Sequence, residues 1–173
     1  QNVAWSVGQF HFRTEGVRAN NDQRKDIVNG LIQWHPTTST TLQIEARTSR
    51  RESGDLFLNF EQDKYFDNRF ATDMRSVRLS GHQKLSNRSS MYFFGADTTN
   101  EDGLVSRTDP DSLNLSISEK AQHAEIQSDF HTDAATLTTG LAWYRNKAGL
   151  RFNGEDVEQP TGRYIGAYVY SHV

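Results

Sequence analysis

His123, Glu125, Gln127 and Asp129 occupy alternate positions in one segment, and they carry the side chains best suited to chemistry in this sequence. In an extended strand, residues two apart project from one face at intervals of about 6.6–7 Å. A histidine and two carboxylates on such a face can chelate a transition metal if a facing strand supplies a further ligand. The same row, rich in acceptors and charge, also suits the wall of a hydrated channel, which needs no metal. A second group combines Glu45 and Arg47 with Arg78, His82 and Lys84. Mixed charge rows create a transverse field that selects permeating solutes, or they pair across strands and satisfy one another. Asp97, Asn100, Glu101, Asp102, Asp109 and Asp111 offer oxygen ligands of the kind Ca²⁺ prefers. Their spacing is not that of an EF-hand and Pro110 interrupts it, so an acidic solvated loop accounts for them as well.

Catalytic signatures are missing from the sequence. It contains no nucleophile elbow, phosphate loop or metalloprotease helix. Paired carboxylates such as Asp109 and Asp111 are too common to imply glycosidase chemistry. Asn87-Arg88-Ser89 is formally a glycosylation sequon, but it falls in a short turn. Phe57, Phe60, Tyr65, Phe66 and Phe70 are more aromatics than a solvated loop needs; they contact a ligand or partner, or pack within an extended hairpin. The expectation is a protein that is not an enzyme, with no cofactor and no catalytic or metal-ligating residue.

The elements that must position these residues show a rhythm. Eight segments with period-two hydrophobicity are read near residues 3–12, 26–35, 41–50, 74–84, 89–97, 119–130, 134–145 and 162–173. Connections at Pro36–Thr40, Leu85–Ser89 and His131–Asp133 are tight, whereas those at 13–25, 51–73, 98–118 and 146–161 are long and polar. Strands of about ten residues, with short turns at one end and long loops at the other, predict an all-β antiparallel transmembrane β-barrel. Leu42, Ile44, Ala46 and Thr48 oppose Gln43, Glu45, Arg47 and Ser49. Ala124, Ile126, Ser128 and Phe130 oppose the His123–Asp129 row, and Val77, Leu79 and Gly81 oppose Arg78, Ser80, His82 and Lys84. Two strands are less clean: Ile27 and Leu31 interrupt a polar face, and Met91 to Phe94 are apolar on both. Trp5, Trp34, Tyr168 and Tyr170 near the short-turn end, with Trp143 and Tyr144 near the other, are read as aromatic girdles at the two lipid–water boundaries. A soluble barrel or sandwich with an apolar interior gives the same alternation; loop asymmetry and aromatic placement favour the membrane.

Composition agrees. Of 173 residues only 35% are hydrophobic, and mean hydropathy is −0.76, yet 11% are aromatic and evenly interspersed, which argues against disorder. Net charge is −3, and no Lys/Arg run suggests nucleic acid or anionic headgroups. There is no cysteine, so thiol chemistry is excluded. No stretch of about 18 apolar residues suggests a spanning helix. The sequence starts at Gln1 without a signal peptide and reads as a mature form or an excerpt.

Several segments resemble a family of large outer-membrane barrels: TonB-dependent-receptor-like barrels, often preceded by tetratricopeptide repeats. They are Phe10-His11-Phe12-Arg13-Thr14-Glu15-Gly16 with Asn20-Asn21-Asp22, and Gln43 to Arg47 followed by Glu52 to Leu56. Ser76 to His82 with Leu85-Ser86, Ala124 to Gln127 with Thr139 to Leu141, and Ala167 to Ser171 complete the likeness. The resemblance implies the outer membrane of a Gram-negative bacterium, a porin-like transport role, contact with outer-membrane lipid, and an energy-coupling protein or plug domain as partner. Barrels of that family have many more strands than eight, so the chain is expected to be one domain or a contiguous piece of a larger barrel. The expected function is transport or permeation of solutes. A soluble ligand-binding module and an outer-membrane hydrolase are the alternatives.

Overall fold

The computed structural model describes residues 2–55, 67–106, 113–157 and 159–172. One antiparallel sheet contains β1 (Val3–Thr14), β2 (Gln23–Thr37), β3 (Thr40–Ser53), β4 (Asn68–Lys84), β5 (Ser89–Ser106), β6 (Leu113–His131), β7 (Thr136–Phe152), β8 (Glu155–Val157) and β9 (Thr161–His172). From β1 to β7 each strand pairs with its chain neighbour, and β8 and β9 lie end to end along the far edge of β7. They form one strand interrupted beside Pro160, which has no N–H to give a ladder. The eight expected strands are therefore all present. Among the described residues β1 and β9 pair on one side only, so the sheet is open.

The tight connections lie at one end. Ser86 and Leu85 N–H groups both donate to the Ser89 carbonyl, at 3.1 and 3.0 Å. Thr132 closes the β6–β7 turn, its Oγ1 accepting from Ala134 and Ala135 N–H. Pro36 sits where the β2–β3 register slips between Trp34 and Thr37, an irregularity that tolerates its missing donor.

The other end corrects the expectation of long loops. β5 runs on to Ser106 and β6 starts at Leu113, so most of 98–118 is strand; β3, β4 and β7 likewise extend well past their expected ends. Those extensions are polar on both faces, which erases the period-two signal, while the ladder hydrogen bonds that hold them depend on no side-chain pattern. β7 turns into β8 through Asn153 and Gly154, both at positive φ (48° and 89°), the geometry of a two-residue hairpin loop. Phe57, Phe60, Tyr65, Phe66, Asp109 and Asp111 lie outside the described residues, and Phe70 belongs to β4.

A small polar knot ties the β1–β2 connection to the start of the β3–β4 connection. Asn21 Nδ2 and Arg18 Nη2 donate to the Asp55 carbonyl at 2.8 and 3.1 Å, and Asn20 Nδ2 donates to the Asn68 carbonyl at 3.0 Å. Arg69 Nη1 reaches Asp22 Oδ1 at 2.5 Å. That hydrogen bond holds the Asp22 carboxyl below its ordinary range, and Asp22 in turn raises Arg69. Gly54 is required here, because a Cβ on it would strike the Asn20 backbone. Ser53 and Asp55, 2% and 4% exposed, are the most enclosed side chains among the described residues.

Elsewhere there is no enclosed core. No apolar side chain among the described residues is buried. The chain exposes 12414 Å², against about 8600 Å² for a compact protein of its mass. A single-layer sheet leaves both faces to be covered by their surroundings.

Candidate functional site

The register sorts the two faces residue by residue. One row of cross-strand partners reads Val3, Trp34, Leu42, Gly81, Phe93, Ile126, Leu141, Ala167, and the next on the same face reads Trp5, Ile32, Ile44, Leu79, Gly95, Ala124, Trp143, Ile165. Both rows are apolar from edge to edge. Trp5 is 74% and Ile165 83% exposed. Where the band ends differs along the sheet. On β1 to β4 it continues away from the tight turns through Val7, Gly30, Ala46 and Val77, but the same row becomes Asp97, Gln122, Arg145 and Arg163 on β5 to β9. On β6 and β7 it continues the other way, through the Phe130–Leu137 pair. The apolar band thus crosses the register rows at a slant, which is what strands tilted across a flat slab require.

The opposite face carries the side chains selected from the sequence. His123, Glu125, Gln127 and Asp129 do share it, and they form a hydrogen-bonded ladder. Gln127 Nε2 donates to Asp129 Oδ1 at 3.0 Å, Thr138 Oγ1 donates to the same oxygen at 2.8 Å, and His123 Nε2 stands 3.5 Å from Glu125 Oε2. Tyr168 on β9 reaches across β7 to join them, its hydroxyl donating to Glu125 Oε1 at 2.5 Å and facing Gln127 Oε1 at 3.1 Å. Gly140 makes this reach feasible. It lies directly between Gln127 and Tyr168 in the register, and the tyrosine ring occupies the place its side chain would take. The strands flanking β6 supply no further metal ligand: opposite Glu125 and Gln127 stand Phe94 and Tyr92 on one side, Ala142 and Gly140 on the other. Among the described residues no three His or carboxylate groups converge on a metal position.

Glu45 and Arg78 face each other across β3 and β4 at 3.9 Å. Arg47 lies two positions further along β3 on the same face. His82 stacks on Tyr92 with ring centroids 4.7 Å apart, and Lys84 ends β4 beside the tight turn. These residues share a face but are strung along two strands and do not converge. Tyr92 and Phe94, the residues that blurred strand five, belong to this polar face: Phe94 meets His123 edge-on at 5.3 Å. A histidine facing aromatic partners at fixed cross-strand positions was the available signal. Of the proposed Ca²⁺ group, Asp97 and Glu101 lie on the apolar-band side, while Asn100 and Asp102 lie on the other. Asp102 accepts from Thr72 and Asn100, and Asp97 from Gln122.

The aromatic girdle needs a correction. Trp5, Trp34 and Trp143 stand on the apolar face, but Tyr144, Tyr168 and Tyr170 stand on the polar one. Tyr144 lies 6.4 Å from the His123 ring and Tyr168 lies 5.2 Å from Tyr170. Alternation requires this, since Trp143 and Tyr144 are adjacent and must point to opposite sides. Trp143 also marks the end of the apolar band and not of its strand, which runs to Phe152.

A feature that sequence order hides appears beyond Trp143 and Ile165 on the apolar side. Arg145 stands directly opposite Arg163, and Lys120 directly opposite Lys147, with Arg75 in the same row as Lys120. The sequence shows no cationic run because these residues come from four strands.

No protein-family model and no curated protein sequence matches the chain. Solved structures do match in fold. A chain of the FpvAI–pyocin S2 complex aligns with a TM-score of 0.75 at 11% identity, covering 98% of this chain and 31% of that one. The translocator domain of the autotransporter NalP from Neisseria meningitidis aligns with a TM-score of 0.56 at 11% identity, covering 98% of this chain and 60% of that one. The chain spans less than two thirds of either structure. The likeness is one of fold, to the wall of an outer-membrane β-barrel.

Proposed function

We propose that the chain is a section of the wall of a β-barrel in the outer membrane of a Gram-negative bacterium. In this role it helps solutes cross and performs no catalysis. The slanted apolar band carries this reading. A continuous apolar surface on one face, with no second layer to cover it, has lipid as its natural cover. The polar face then meets water. Its Glu125, Gln127, Asp129 and Tyr168 ladder offers hydroxyl, amide and carboxylate groups that replace part of a solute's hydration shell. The Glu45–Arg78 pair adds a local transverse field. A plug domain or energy-coupling protein fits the resemblance as a partner, and the fold likeness to barrels longer than this chain supports its being part of a larger wall.

Fractionation and reconstitution of the natural protein test the reading. We expect recovery in the outer-membrane fraction and solute-dependent swelling of vesicles that contain it. The double variant Glu125→Gln/Asp129→Asn should lower cation preference in reversal-potential measurements. Recovery in the soluble periplasm without detergent would sink the proposal.

A further inference from the structure

The cations beyond the apolar band form a surface that the protein leaves unneutralised. On the β1–β4 side, the outward charges are matched: Arg24 pairs with Asp26 at 2.7 Å, and Arg50 with Glu52 at 2.6 Å and Asp73 at 3.9 Å. On the β6–β9 side the balance fails. Among the described residues the only acid paired there is Asp97, 3.6 Å from Lys120, while Arg145, Lys147 and Arg163 have no ion-pair partner. Arg145 and Arg163 occupy directly opposed positions, as do Lys120 and Lys147. Like charges so placed are about 4.5–5.5 Å apart at Cβ and destabilise a sheet. A sheet that tolerates two such pairs side by side has an anion to bring to them.

Position identifies the anion. Arg145 and Arg163 come one outward residue after Trp143 and Ile165, where the apolar band stops and an indole sits at headgroup depth. A ligand that lays acyl chains along Leu141, Trp143 and Ile165 puts its headgroup on the four cations. We propose that this patch binds the phosphorylated headgroup of an outer-leaflet lipid, with phosphate oxygens accepting from Arg145, Arg163, Lys147 and Lys120. Arginine forks suit phosphate geometry, and lysine adds charge. The proposal rests on the membrane reading above and names a lipid class and site within it.

Native mass spectrometry of the full protein, released from nanodiscs, reads the interaction directly. The discs contain phosphatidylcholine with a diphosphorylated glycolipid, or the same glycolipid after phosphate removal. Wild-type protein should retain the diphosphorylated form preferentially. Arg145→Gln/Lys147→Gln/Arg163→Gln should weaken retention by roughly 100-fold, about fivefold per charge removed. Arg24→Gln/Arg50→Gln, on matched charges of the same face, should leave it unchanged. The triple variant loses only repulsion, so it should fold, checked by the faster migration of unheated protein in gels. Equal retention of both glycolipids, or undiminished retention by the triple variant, would overturn the proposal. Full displacement of the lipid by inorganic pyrophosphate would overturn it in favour of a free anion. If the protein inserts into phosphatidylcholine discs without any preference, this proposal alone fails. If it does not insert at all, the membrane reading fails with it.

Discussion

At the scale of single residues, the polar face depends on one small position. Gly140 leaves room for Tyr168 to cross β7 and donate to Glu125. Gly140→Ala should therefore displace the ring and cost about 1–2 kcal/mol, from the lost charge-assisted hydrogen bond and local crowding. In a Tyr168→Ala background the same change should cost almost nothing, giving a coupling of about 1 kcal/mol in a double-mutant cycle measured by urea unfolding. Equal costs in both backgrounds would show that the ring does not depend on the glycine. The sequence revealed much at this scale: alternation alone places His123, Glu125, Gln127 and Asp129 together. It did not reveal Tyr168 as their partner, because a tyrosine fits a lipid boundary and a wet wall equally well. Only the pairing of β7 with β9 decides which side it takes.

At the scale of elements, the band and the knot behave differently. Leu141 lies mid-band on β7, so Leu141→Arg should destabilise the folded protein in lipid by about 2–4 kcal/mol, whereas an arginine near either end of the band should cost about 0–1 kcal/mol. A flat cost along β7 would contradict a spanning strand. The knot responds to acid. Arg69 lowers the folded-state pKa of Asp22, so their contribution is fully present above the ordinary value of 3.8 and is lost as pH falls through the lower folded value. Protection of the β1–β2 connection from an acid-active protease should therefore hold at pH 5 and fall below pH 3.8, and Asp22→Asn should remove that step. Strand centres were legible because one face must be apolar. Strand ends were not, because residues such as Asn100, Glu101 and Asp102 are polar on both sides and read as loop. The cationic patch was illegible for another reason: its members are separated by up to 88 positions, from Arg75 to Arg163, and only the register brings them together.

At the scale of the whole molecule, the open edges set the next question. Unpaired strand edges do not persist in hydrocarbon, since each exposed N–H and C=O would cost several kcal/mol. The edges of β1 and β9 need partners, either each other or further strands. Spin labels at Ser6 and Tyr164 in the natural, reconstituted protein distinguish these arrangements. As part of a larger wall, they should be separated by far more than the about 5 Å between adjacent strands. Contact between the labels would show a closed eight-stranded ring. The ladder itself has a further consequence. Every strand pairs with its chain neighbours and none crosses over, so a hairpin added at either edge would disturb no existing register. A single added strand would instead invert the direction of everything after it and move each later tight turn to the opposite side of the bilayer. The circumference of such a wall can therefore change only in steps of two strands, and the hairpin is the unit in which pore size can evolve or be redesigned.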